Sequence, residues 1–196
     1  MVRRLTLAAG AVMAAGAVLS ANLVIPTAFR EVVADASLIV RGTVTDVRSF
    51  RAPGRGIESV ATLAVQAVLK GEATAFVSVR VPGGTIGTRR FVMVGAPSFQ
   101  TGEQAVVFLR RDGEGAWRPV GLSMGVIRVR ADRASGRLAV APPVVGGWTA
   151  ATAGPVVRGD ARRQTMAVTE FESLVRLVAA GRALPSRMPF VERPVK

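Results

Sequence analysis

Between residues 37 and 141 the chain repeatedly alternates apolar with polar side chains, the period of strands that bury one face. In residues 37–48, Leu38, Val40 and Val44 fall on one face and Arg41, Thr43 and Thr45 on the other. Gly42 interrupts the run where a barrel strand bends or bulges. Residues 51–56 predict a loop by their Pro and Gly content. Residues 59–69 predict a second strand ended by Lys70-Gly71, and residues 76–81 a third stopped by Pro82-Gly83-Gly84. A short strand is expected over residues 89–94, before a turn at Gly95-Ala96-Pro97. Residues 104–110 are nearly all apolar, which predicts a strand buried on both faces. Asp112-Gly113-Glu114-Gly115 predicts a hairpin into residues 117–120. Residues 124–130 and 137–141 predict another around Ala134-Ser135-Gly136.

Two segments carry helical signals instead. Residues 27–36 predict a short helix capped by Thr27, with Glu31 toward its favourable dipole end. In residues 168–180, Phe171, Leu174, Val175 and Val178 form one stripe, Glu170, Glu172 and Arg176 face away, Thr169 caps and Gly181 terminates. Residues 142–167 are rich in Pro, Gly, Ala and Thr and read as a connector. Residues 182–196, with Pro185, Pro189 and Pro194, read as a disordered tail. The fold class expected is all-β: a closed barrel of about five or six main strands over residues 27–141, with a short N-terminal helix and a C-terminal amphipathic helix.

The N-terminus changes the picture of compartment. Arg3 and Arg4 stand directly before a charge-free run from residue 5 to residue 29, in which residues 5–19 have the shape of a signal-peptide h-region. Val18 and Ser20 suit the positions before a cleavage site, so residues 1–20 read as a signal peptide, with cleavage after Ser20 or, one residue on, after Ala21. The rival is an uncleaved membrane anchor, since about 20 apolar residues can span a bilayer. Pro26 and the Ala/Gly-rich composition favour cleavage. An exported protein, periplasmic or extracellular, is the expectation, with the membrane reached only through an uncleaved N-terminal segment.

Composition then removes chemistry. The 196 residues contain no Cys, no His and no Tyr. Cys/His zinc sites, iron–sulfur clusters, thiol nucleophiles and His-assisted serine triads therefore cannot be built from this chain alone. A lipoprotein anchor on Cys is excluded too. Without disulfides, an exported chain depends on an ordinary hydrophobic core. The formal net charge is +13, and all but two of the 26 basic residues are arginine, Lys70 and Lys196 being the exceptions. GC-rich codon usage explains arginine over lysine. It does not explain basic over acidic, which leaves room for an anionic surface or partner beside the default reading of solvated surface charge. Nucleic acid is disfavoured, because aromatics make up only 5% and give few stacking platforms.

The short motifs carry little chemistry. Gly121-Leu122-Ser123-Met124-Gly125 matches a nucleophile elbow, but with no His to activate Ser123 and with strand residues following, it reads as a turn or bulge. Residues 82–87 are Gly-rich like a phosphate loop, yet lack the Gly-Lys-Ser/Thr ending, and read as a wide loop. The carboxylates are scattered. Asp112 and Glu114 share a turn without the spacing of an EF-hand, and Glu103 reads as a solvated charge at a strand start. The sequence points to no catalytic residue, no cofactor and no metal. The candidate partner-contact residues are Arg51 and Arg55 in the first loop, Thr85, Arg89 and Arg90 in the second, and Arg128 and Arg130 on one strand face.

Residues 34–44, Ala-Asp-Ala-Ser-Leu-Ile-Val-Arg-Gly-Thr-Val, followed by Val65-Gln66-Ala67-Val68-Leu69-Lys70-Gly71, resemble the netrin-like/TIMP-like group of exported OB-type barrels. Gly102-Glu103 ahead of Val106-Val107-Phe108-Leu109 adds to the resemblance, which covers roughly residues 29–130. It implies an OB-like closed barrel with flanking helices. It does not imply metalloprotease inhibition, because the N-terminal Cys and the disulfides of TIMP-type inhibitors are missing. OB barrels serve many tasks. The function expected is a non-enzymatic exported domain that binds a protein or anionic polymer of the bacterial cell envelope or exterior. The alternatives are a carboxylate-dependent hydrolase using Glu58 and Glu103, and a basic nucleic-acid-binding OB domain.

Overall fold

The computed structural model describes residues 27–132, 135–140 and 166–182. The segments expected to be a signal peptide with its cleavage site, most of the connector and nearly all of the tail lie outside the described residues.

The described chain is mostly β, with two helices. Helix α1 (Thr27–Asp35) leads into two long strands, β1 (Leu38–Ala52) and β2 (Gly56–Lys70), and a shorter β3 (Phe76–Pro82). A small hairpin of β4 (Gly84–Ile86) and β5 (Arg89–Phe91) follows. Then come β6 (Gln104–Arg111), β7 (Trp117–Pro119), a 3₁₀ turn over Leu122–Gly125, β8 (Val126–Ala131), β9 (Leu138–Val140), β10 (Met166–Ala167) and helix α2 (Val168–Ala179).

Five strands are hydrogen-bonded in a ring, β1-β2-β3-β7-β6 and back to β1, while β8, β9 and β10 continue the sheet beyond β6. All neighbours in the ring are antiparallel except β3 and β7, which run parallel. β1 makes the closure possible. Its first half pairs with β6 on one side and β2 on the other, and its register against β2 slips at three points. Each slip adds twist and bend to a strand that must serve both neighbours. Gly42 sits at one of them, as its place in the pattern predicts. A Cβ there would lie 2.6 Å from the Ala64 carbonyl oxygen.

Strand alternation separates two cores. Leu38, Val40, Ala105, Val107 and Leu109 point into the ring with Leu63, Val79 and Phe99. Ile39, Val106 and Phe108 point the other way and meet α1 and α2. This is why β6 reads as apolar throughout: both of its faces are covered, as expected. Phe29 of α1 packs edge-on against Phe108 and close to Phe171 of α2, with ring centroids 6.2 and 5.9 Å apart. Lys70 donates from Nζ to the carbonyls of Val33 and Ala34 at 2.7 and 3.1 Å, closing the C-terminal end of α1.

Several expectations need correction. The loop of residues 51–56 shrinks to a tight turn, because β1 runs through Arg51 to Ala52 and β2 begins at Gly56. The wide loop after Pro82 is the β4–β5 hairpin, pinned by Ser59 Oγ donating to the Gly83 carbonyl at 2.8 Å and by the Thr85 N–H donating to Ser49 Oγ at 3.2 Å. Residues 92–94 lie outside β5. The strand expected from residue 124 begins only at Val126, because Leu122–Gly125 form a 3₁₀ turn, in keeping with the turn read there, entered through left-handed Gly121 and Leu122. The connector ends early, since Met166 and Ala167 pair with β9. Thr169 does not cap α2: the N-cap position is Ala167, two residues earlier, and Thr169 lies inside the first turn. Glu31 lies beyond the first turn of α1. Glu172 does not face away: it is 7% exposed and bound to Arg41.

Candidate functional site

The turn between β6 and β7 organises a chain of charges along one flank of the ring. Asp112 Oδ1 accepts the backbone N–H groups of Glu114 and Ala116 at 3.0 and 2.9 Å, an Asx turn that fixes the carboxylate. Its Oδ2 accepts from Arg118 Nε at 2.5 Å. Arg118 Nη2 in turn donates to both oxygens of Glu58 at 3.0 Å. Arg80 Nε lies 3.8 Å from Glu58, and its Nη1 donates to Glu114 at 2.8 Å; Arg55 reaches the other oxygen of Glu114 at 3.1 Å. Acid and base alternate from Arg55 through Glu114, Arg80, Glu58 and Arg118 to Asp112. The chain ties the β1–β2 turn to β2, β3, β7 and the β6–β7 turn.

Glu58 is 2% exposed and would be costly to bury alone, so the arginines are required for it to sit there. The hydrogen bond from Arg118, against partial burial and with help from the Ala116 and Glu114 N–H groups, holds Asp112 down at about 2. Burial disfavours the charge on Arg118, but hydrogen bonds to Asp112 and Glu58 outweigh it and raise its pKa.

Beside this chain lies a groove of about 480 Å³ over the parallel β3–β7 seam. Arg111 stacks on Trp117 at 4.2 Å from the ring centroid, held by its own donation to the Gly115 carbonyl at 2.5 Å. Phe76, 58% exposed, and Arg80 line the same groove, together with Ser78 and Glu72. Flat cationic and aromatic surfaces in a concave strip are suited to gripping an anionic chain or an acidic peptide. The Arg110-Arg111 doublet reads from the sequence as a candidate anion contact, but Trp117, Phe76 and Arg80 do not stand out there. An Arg-Arg pair ending an apolar strand, followed across an Asp-Gly turn by Trp-Arg, is a signal that could have found Trp117; none marks Phe76 or Arg80.

The partner-contact residues divide into two places. The β1–β2 turn packs against the β4–β5 hairpin, where a Cβ on Gly56 would touch the Phe91 ring at 3.8 Å. This brings the elements carrying Arg51, Arg55, Thr85, Arg89 and Arg90 to one end of the ring, all five exposed, although Arg55 is engaged with Glu114. Arg128 and Arg130 are elsewhere, lining a second cavity of about 470 Å³ with Ser98, Gln100 and Glu103. Arg128 pairs with Glu103 and donates to the Ser98 carbonyl at 2.7 Å. Desolvation, with the nearby charge of Arg130, lowers its pKa. Glu103 is therefore not a solvated strand-start charge but half of a partly buried ion pair, whose Oε2 also accepts the Gln100 N–H at 3.1 Å. Among the described residues no cluster of three or more acidic side chains is placed to hold a metal ion. No helix among them is long and apolar enough to cross a membrane.

No protein-family model matches the sequence, and no curated protein matches it.

Proposed function

We propose that this protein is an exported, non-enzymatic binding domain on an OB-like, netrin-like barrel, which holds an anionic polymer or an acidic protein surface of the cell envelope or exterior. The ring order and the parallel closure of β3 on β7 support the OB-like reading. In such a barrel the face of the second and third strands and the two adjoining turns form the usual ligand surface. Here that surface carries the charge chain and the groove. The observation that carries the proposal is the Arg111–Trp117 stack beside Arg80 and Phe76 in one groove.

The non-enzymatic part rests on the state of the acids. Glu58 is held by Arg118 and Arg80, and Glu103 by Arg128, so each carboxylate named for a hydrolase is already committed to a guanidinium. The experiment is site-specific photo-crosslinking from position 76 in producing cells. The reading expects an adduct with an envelope component, weakened about tenfold by Arg111→Ala or Trp117→Ala. No adduct, or one indifferent to both substitutions, overturns it.

A further inference from the structure

In residues 91–94, Phe-Val-Met-Val, exposure alternates: Val92 is 65% and Val94 94% exposed, while Phe91 and Met93, at 37% and 41%, are turned partly toward the fold. Val92 and Val94 form a small protruding apolar tip. The run is also held in place. Gly84 has φ +144, and a Cβ on it would lie 2.4 Å from both the Ser49 and Ser59 hydroxyl oxygens, so the hairpin sits directly on β1 and β2. On the other side, the Ser123 N–H donates to the Gly95 carbonyl at 3.1 Å. That contact follows left-handed Leu122, an unusual conformation for a bulky residue, and it brings exposed Met124 beside the run.

The segment that carries the run has charge of one sign only. No Asp or Glu occurs between Glu72 and Glu103, while Arg89 and Arg90 directly precede the run and are exposed. The neighbouring end of β1 adds Arg51, also exposed, while Arg55 in the β1–β2 turn is paired with Glu114. A small apolar tip beside exposed arginines has the two parts of an interfacial membrane anchor: side chains for the acyl boundary and cations for anionic head groups.

We infer that residues 91–94, with Met124, dip into the surface of an anionic phospholipid bilayer while Arg89 and Arg90 bind its head groups. The site is separate from the groove and does not depend on what the groove takes. Each arginine near an anionic surface contributes about fivefold to partitioning, and an apolar tip with a basic patch anchors reversibly.

The chain has no Cys, so Val94→Cys can carry one environment-sensitive fluorophore in the full-length protein, with Ala75→Cys, just ahead of the far end of β3, as the reference position. Vesicles of phosphatidylcholine with about a third phosphatidylglycerol should brighten the label at position 94 and leave that at 75 unchanged. Pure phosphatidylcholine should give little response, and Arg89→Gln with Arg90→Gln should weaken partitioning roughly 20-fold. Equal responses at both positions would mean attachment through residues 5–29 and would overturn the inference. So would an equal response to neutral vesicles, no response at 94, or brightening on concentrating the protein without vesicles, which marks a second copy as the occupant.

Discussion

Arg41 Nε donates to Glu172 Oε1 at 2.5 Å, joining β1 to α2 across 131 residues of chain. Arg41 also donates to Gln66 at 2.6 Å, so one guanidinium links two strands and the last helix. Glu172→Ala strands Arg41 at a partly buried site and should cost about 2 kcal/mol of unfolding free energy. Replacing both partners, as Arg41→Met with Glu172→Leu, should recover most of that loss. Denaturant titration of the three variants measures it, and a loss below about 0.5 kcal/mol for Glu172→Ala would put the tie among ordinary surface pairs.

Stability should fall in acid through Asp112. Its pKa is depressed to about 2 in the fold, chiefly by Arg118. A depressed carboxylate contributes fully above its unfolded value near 4, and its contribution is lost as pH falls toward 2, because the unfolded chain then binds the extra proton. Urea midpoints measured from pH 6 down to pH 2 should drop over that window. In Asp112→Asn the midpoint should start lower and this part of the drop should vanish.

Gly42→Ala places a methyl 2.6 Å from a backbone oxygen of β2, where neither strand can yield without opening the pairing. About 2 kcal/mol should be lost. Gly87 provides the contrast. Its φ is +56 but nothing lies within 4 Å of a Cβ, so Gly87→Ala should cost only about 1 kcal/mol from backbone strain. Equal costs in thermal unfolding would show that the close approach of β1 to β2 does not govern the fold.

Removing the Lys70 ammonium should loosen α1 first. Lys70→Met deletes two donations to the helix end and should cost about 1.5 kcal/mol. Hydrogen exchange should speed up in residues 28–35 more than in β6, whose amides lie at the centre of the sheet.

The strands were legible because each obeys a local rule: alternation in β1 and β2, a fully apolar run in β6, an Asp-Gly turn before β7. The Ala-Asp and Lys-Gly segments that carry the family resemblance meet in space. Lys70 closes α1, and left-handed Gly71 passes so near Ser37 that a Cβ would lie 2.4 Å from its carbonyl oxygen. What sequence could not supply was pairing between distant charges. Glu172 looked like a solvent residue because its helical position is read against its neighbours, whereas Arg41 arrives from the other end of the chain. Glu58 and Arg118 are likewise 60 residues apart and meet only once the ring closes. The groove depends on the same closure, since β3 and β7 become neighbours through no local signal.

Export of this binding domain is tested by fractionating producing cells and measuring the intact mass of the recovered chain. A species on the exported side that begins near Ala21 is expected. A full-length chain recovered from the cytoplasm would overturn export.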